Sequence, residues 1–149
     1  GGVHNVIPSQ VRILGTLRMM NEEWRFKAHE QIKNIVFHTA KAMGGDSEVS
    51  IKVGYPFLVN EEKLTERCKT AAEQYLGKEN VLDIPMRMTA EDFAYYSQKT
   101  NGCFYRLGVA NAARGITSSV HTPTFDIDEA ALKIGVGLMS YLAVNELAV

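Results

Sequence analysis

The chain has 149 residues, is 46% hydrophobic and carries a formal net charge of −1, enough apolar content for one ordinary domain or two small ones with a real core. Its pI is near 6.5, and Lys and Arg are scattered along it without forming a stripe. That charge pattern excludes the electrostatic footprint of a nucleic-acid binder or of a protein that docks on an acidic membrane surface.

In chain order, Val11, Ile13, Leu14 and Leu17 alternate loosely with Arg12 and Arg18, which predicts a strand over about Val11 to Met19. Asn21 is placed to cap a helix whose first acids, Glu22 and Glu23, suit the positive N-terminal dipole. Trp24, Ala28, Ile32, Ile35, Val36, Thr39 and Met43 recur at helical spacing and are expected to face inward. His29 and His38 fall off that stripe and are expected in solvent, and Gly44-Gly45 should stop the helix. Val49, Ile51, Val53 and Tyr55 then alternate with polar or small residues, as in a strand with one wet face. Strand, helix, strand is one half of a small open-faced sandwich.

Composition shifts at Pro56 to Asn60. Asn60 is the expected cap of a second helix, Glu61 to Leu76, with Leu64, Cys68, Ala71, Ala72 and Tyr75 inward and Gly77 as its stop. The run VLDIPM reads as a short strand, with Pro85 at its edge or end. Thr89 and Asp92 resemble a capping box for a short helix, AEDFAYYSQ. CFYRLGV reads as a buried strand, ANAARGITSS as a loop, and Asp128 as the cap of a last helix from Glu129 to about Leu147. Gly135 and Gly137 inside that helix weaken it by roughly 1 kcal/mol each relative to Ala, which close approach of a sheet would explain. The most apolar stretch, Ala131 to Val144, contains Lys133 and falls short of a membrane span, so a buried helix is expected. No signal peptide is legible. The two cysteines, Cys68 and Cys103, lack CxxC spacing and read as free thiols of a reducing cytosol. The chain opens at Gly1 without a methionine, as in a trimmed or processed piece.

The chain therefore reads as two units, residues 1–59 and 60–149, each with too few strands to stand alone as a sheet. Few residues suggest chemistry. His121 follows a loop after a predicted buried strand, where sites of open α/β sheets collect, and Asp126 and Asp128 could orient its ring. It is equally read as an exposed or structural histidine, and one imidazole is not a zinc site, which needs three or four protein ligands. Glu91 and Asp92 are either pocket acids near that crevice or ordinary first-turn acids. Arg18 is either a surface arginine or a carboxylate anchor, its planar fork suited to two oxygens. There is no nucleophile elbow and no phosphate-binding glycine loop.

Five blocks in order, GGVHNVIPSQVRILGTLR, GYPFLVNEEKLTE, MTAEDFAYYSQ, GCFYRLG and VHTPTFDIDEAAL, resemble the C-terminal half of the metal-dependent amidohydrolases and aminopeptidases. That family includes aminoacylases, hippurate hydrolase, carboxypeptidase G and succinyl-diaminopimelate desuccinylase, and the likeness is strongest to its N-acyl-amino-acid and hippurate branch. The resemblance implies an α/β (α+β) fold: residues 1–59 as the later part of a partial ferredoxin-like lid that dimerises, and residues 60–149 as the C-terminal part of a zinc-peptidase-like α/β catalytic domain. It implies a divalent-metal centre, two Zn or Mn ions per intact site, with His121 the one ligand on this chain. The other ligands and the glutamate base would belong to an N-terminal half. It assigns Asn5, Arg18, Glu91 and Asp92 to substrate binding. Thr89-Ala90 stands where the family commonly has two glycines, which would alter substrate preference. The implied reaction is hydrolysis of N-acyl amino acids or small peptides by a cytoplasmic homodimer, without nucleic-acid or membrane partners, and the piece alone would be inactive. Two rival expectations remain: a non-catalytic binding or dimerisation module of the same fold, and a self-contained one-metal hydrolase built on His121, Glu91 and Asp92.

Overall fold

A computed structural model describes residues 4–148; the leading GGV of the first block and Val149 lie outside the described residues. The chain divides into two compact units, Gly1–Phe57 and Leu58–Val149. The described residues carry four α-helices, α1 (Glu22–Ala42), α2 (Glu62–Leu76), α3 (Ala94–Ser97) and α4 (Ala130–Leu147), with short 3₁₀ turns at Lys78–Asn80 and Ala112–Arg114. None of the predicted strands forms a hydrogen-bonded ladder among the described residues, where one isolated antiparallel bridge joins Asn111 and Ile116. A strand is stabilised only by a neighbour at the right distance, and Val11, Ile13 and Leu14 are instead largely exposed, as are Leu82, Ile84 and Met86.

In the first unit, Asn21 caps α1 as its sequence position suggests, its Oδ1 accepting the Trp24 N–H at 2.9 Å. The helix ends where Gly44 takes a left-handed φ of 76°, open to glycine without strain. The face that turns inward is only partly the expected one. Ala28 and Ile32 are covered as the spacing predicts, but Trp24, Ile35, Val36 and Met43 are exposed, and Glu22, Arg25 and His29 are covered in their place. Arg25 Nη1 donates to the Tyr55 carbonyl at 2.7 Å, and Glu22 Oε1 accepts the Phe57 N–H at 3.3 Å. Backbone groups without a sheet partner must be satisfied somehow, and here an ion-paired Glu22 and Arg25 are drawn inward to do it. His29 is thereby buried, edge-on to Phe26 with ring centroids 5.7 Å apart, a correction to its expected place in solvent. His38 is exposed. Val49 and Ile51 keep the alternation read from sequence, half-covered while Ser50 and Lys52 are exposed, but the pattern is lost beyond them, with Val53 and Tyr55 both exposed.

In the second unit the cap of α2 moves by one residue. Glu61, not Asn60, takes the free N–H groups, its carboxylate accepting Leu64 N at 2.6 Å and Lys63 N at 3.2 Å. Its negative charge at the helix N-terminus is favourable, and these N–H groups hold its carboxyl below the usual range. Asn60 is freed to clasp Phe104, donating to its carbonyl at 2.9 Å and accepting its N–H at 2.8 Å. With Glu61 N–H on the Gly102 carbonyl at 2.9 Å, this fixes the predicted 103–109 segment alongside α2 without a strand partner. The core joins α2 to α4 through Ala71, Ala72, Leu138 and Leu142, with Cys68, Leu76, Val81, Tyr105 and Tyr141 packed around it. Arg67 and Glu146 close the same pair of helices by a bidentate ion pair, with bonds of 2.9, 3.2 and 2.6 Å. Both cysteines are free and half-buried; burial, and then the neighbouring Cys103, push the Cys68 thiol up to about 11.

The 18 residues of α4 are long and apolar enough, by length and composition alone, to cross a membrane; its covered residues, Ala131, Leu138 and Leu142, pack into protein. Its glycines make room for neighbours other than a paired sheet. A Cβ at Gly135 would lie 2.7 Å from the Leu107 side chain, and one at Gly137 would overlap the Tyr75 hydroxyl. Tyr75 is held by stacking on Tyr141 at 5.3 Å. Gly137→Ala is therefore expected to lower stability by about 1–2 kcal/mol, overpacking outweighing the gain in helix propensity. Tyr75→Phe, which removes the hydroxyl, should recover most of the loss; thermal unfolding of the two single variants and the double variant checks this.

Candidate functional site

His121 sits at the apex of an exposed turn, with the positive φ of 65° that only it, among the described non-glycine residues, adopts. Left-handed backbone is uncommon for a side chain without local compensation, so the surroundings must hold it. Ser118 Oγ and Thr124 Oγ1 hydrogen-bond at 2.9 Å across the turn, Thr122 Oγ1 donates to the Ser119 carbonyl at 2.8 Å, and Phe125 N–H donates to the Thr122 carbonyl at 3.1 Å. Pro123 adds its fixed φ to the same turn. The imidazole is thus presented on a braced loop, exposed, as an imidazole must be to meet a metal whose other ligands come from elsewhere.

The two aspartates expected to orient that ring are otherwise engaged. Asp126 Oδ1 accepts the Ile127 N–H at 2.8 Å. Asp128 accepts from Asn111 Nδ2 at 2.6 Å, Arg114 Nη1 at 2.8 Å and the Ala130 N–H at 3.2 Å; α4 starts one residue later than expected, with Glu129 at the cap position, and Asp128 still meets its first N–H. The Asn111 bond, then the Ala130 N–H and the Arg114 charge, hold its carboxyl below the ordinary 3.8. A carboxyl whose pKa falls on folding stabilises the fold above its unfolded value and loses that contribution as pH drops through the folded one. Amide protection in residues 109–130, taken as exchange relative to the intrinsic rate at each pH, is accordingly expected to fall below about pH 4, and Asp128→Asn should flatten that response.

Glu91 is half-buried and Asp92 exposed, just ahead of α3. The expected capping box does not form. Glu91 Oε1 turns onto the Asp92 N–H at 3.0 Å, and Thr89 Oγ1 accepts from Arg106 at 3.4 Å, so the helix starts only at Ala94. Asp lacks the reach of the usual Glu or Gln in that motif. Ala94 is fully buried, and Phe93 packs on Phe104 with centroids 5.5 Å apart, which anchors the acidic turn to the 103–109 segment. Asn5, in a turn, and Arg18, in an extended stretch, are both exposed and belong to the first unit.

Among the described residues, no cluster of three or more His, Cys, Asp and Glu side chains could hold a metal ion. His121, Glu91 and Asp92 therefore do not assemble into a ligand set, which removes the geometric basis of a self-contained one-metal site. Two clefts lie elsewhere. One of about 360 Å³ is lined by Phe26, His29, Glu30, Lys33, Val49, Ile51 and Val53. Another of about 380 Å³ is lined by Glu66, Arg67, Thr70, Ala71, Gln74, Asn145 and Glu146. Sequence reading missed the Asn111–Arg114–Asp128 cluster; its one local signal is an asparagine four residues before a turn glycine, Gly115.

Comparison with known proteins gives the family: residues 6–145 match Peptidase family M20/M25/M40, and the chain belongs to it. Family members are generally metal-dependent. The chain is 33% identical over 144 residues to a probable hydrolase of Synechocystis sp., covering 96% of this chain and 37% of that protein. It is 30% identical over 151 residues to an IAA-amino acid hydrolase of Arabidopsis thaliana, covering 99% and 34% respectively. A thermostable carboxypeptidase of Saccharolobus solfataricus is 29% identical over 146 residues, covering 97% and 36%. The chain spans about a third of the length of these curated relatives.

Proposed function

We propose that this chain supplies the C-terminal part of a metal-dependent amidohydrolase that cleaves N-acyl amino acids or small peptides. The observation that carries this reading is His121, held in left-handed backbone at an exposed, hydrogen-bonded apex within a chain of the M20/M25/M40 family. The names of the relatives, an IAA-amino acid hydrolase and a carboxypeptidase, support acylated amino acids and peptides as the substrate class.

His121 fits the role of one ligand and no more. A divalent metal pair, zinc or manganese, would lower the pKa of a bound water and polarise the amide carbonyl. His121 would hold its neutral imidazole towards that centre, and Arg18 and Asn5 would engage the substrate's carboxylate or reacting carbonyl. Glu91 and Asp92 would line the pocket, where Thr89 and Ala90 narrow the approach of substrate to backbone. The remaining ligands and the glutamate general base would come from an N-terminal half. Residues 1–59 would be the later part of a ferredoxin-like lid through which the enzyme dimerises, and residues 60–149 the C-terminal part of the catalytic domain. Free, half-buried thiols support a reducing, cytoplasmic setting.

The chain alone should not hydrolyse N-acetyl or N-benzoyl amino acids with zinc or manganese present. Mixing it with a separately produced N-terminal half should restore turnover. Turnover by the chain alone would refute the divided site, and a longer protein without turnover would favour a non-catalytic binding or dimerisation module.

A further inference from the structure

We propose that Asn111, Arg114 and Asp128 form a clamp that positions the His121 turn; the inference rests on the reading of His121 as a metal ligand. Asp128 gathers three strands of chain at one point. Its backbone N–H donates to the Val109 carbonyl at 2.9 Å, and its carbonyl accepts the Ala131 N–H at 2.9 Å, where α4 begins. Its carboxylate splits between partners: Oδ2 accepts from Asn111 at 2.6 Å, while Oδ1 accepts from Arg114 at 2.8 Å and from the Ala130 N–H at 3.2 Å.

Asn111 is the other half of the clamp. Its backbone pairs both ways with Ile116, at 2.9 Å in each direction, and its Oδ1 accepts the Arg114 N–H at 3.2 Å. Gly115, with a φ of 75°, lets the chain reverse between them. The segment 117–127, which carries His121, thus leaves from Ile116 and returns to Asp128, two points bound to one another through the Asn111 side chain. The turn's own bonds, Ser118 to Thr124 and Thr122 to Ser119, close the loop above that base.

A helix cap needs only the Asp128 bond to Ala130. The Asn111 and Arg114 bonds add nothing to α4, yet they fix the base of a loop whose apex holds a non-glycine residue in an uncommon conformation. None of the three bonds the His121 ring itself; they act on the base of its loop, and groups that restrict where a ligand points commonly set metal affinity. Asn111, Arg114 and Asp128 are in this sense positioning residues, and none need touch metal or substrate.

The test uses the longer enzyme and zinc, titrated in competition with a chelator, with amide hydrogen exchange recorded on the same samples. Asn111→Ala should weaken zinc binding about 10–100-fold and speed exchange across 117–127, while exchange in α4 and the thermal midpoint stay as in the unmodified protein. Arg114→Ala, at a side chain 61% exposed, should shift both readouts in the same direction by less. It carries the test if Asn111→Ala fails to fold. Unchanged zinc affinity in both variants, with His121→Ala lowering it, would overturn the clamp. If His121→Ala itself leaves zinc affinity unchanged, the metal-ligand reading fails. The clamp is then judged by exchange alone: faster exchange confined to 117–127 sustains it, and unchanged exchange overturns it.

Discussion

Replacing His121 by alanine in the longer enzyme is expected to lower metal affinity by more than about 100-fold and to reduce turnover with it. Loss of an outer-shell partner alone commonly weakens metal binding 10–100-fold, and deleting a ligand removes a bond to the metal itself. The turn should survive, because its bracing bonds run between Ser118 and Thr124 and between Thr122 and Ser119, not through the imidazole. Alanine is also a poor occupant of left-handed backbone, so His121→Gly is the cleaner variant: it relieves the conformation while deleting the ligand. Both should bind less metal and turn over less, while Arg18→Ala should raise KM with metal content unchanged. Metal analysis after dialysis and steady-state kinetics on an N-acyl amino acid measure the three together.

The largest expected effect on stability is at Leu138. It is 4% exposed and meets Ala71, Ala72 and Leu142 in the core between α2 and α4. Because the facing residues of α2 are alanines, Leu138 and Leu142 supply much of the side-chain volume there. Helices already brought close by alanine, and by Gly137 under Tyr75, have little room to collapse into a hole. Leu138→Ala should therefore lower stability by about 2–4 kcal/mol, removing transfer energy and leaving a cavity. Leu132→Ala, at a site 55% exposed on the same helix, should change it by less than about 0.5 kcal/mol. Urea unfolding of the 149-residue chain compares them. Equal effects would contradict the assigned core.

Helix ends were the most legible feature, since their chemistry is local. Asn21, Gly44 and Gly77 act where they stand in the sequence. On α1, apolar spacing marks the covered Ala28 and Ile32 but not the covered Glu22, Arg25 and His29. Glu22 and Arg25 turn inward to meet Tyr55 and Phe57, more than thirty residues away, a demand that helical spacing does not carry. Asn60 and Glu61 exchanged roles for a related reason, as the clasp on Phe104 spans 44 residues. Extended segments were recognised by alternation, but a ladder depends on a neighbour that local pattern does not name. At the site, residue type and family resemblance singled out His121. Its left-handed backbone was illegible, because none of the usual glycine, asparagine or aspartate marks the position. The link from Asn111 to Asp128 joins residues 17 apart with no periodic signature.

The proposal that His121 ligates a metal together with residues outside this chain is open to test by anomalous diffraction from crystals of the zinc-loaded longer protein. A zinc peak is expected about 2.0–2.1 Å from a His121 ring nitrogen, with the remaining protein ligands drawn from the N-terminal half. A zinc peak ligated wholly by other residues, with the His121 ring facing solvent, would contradict it.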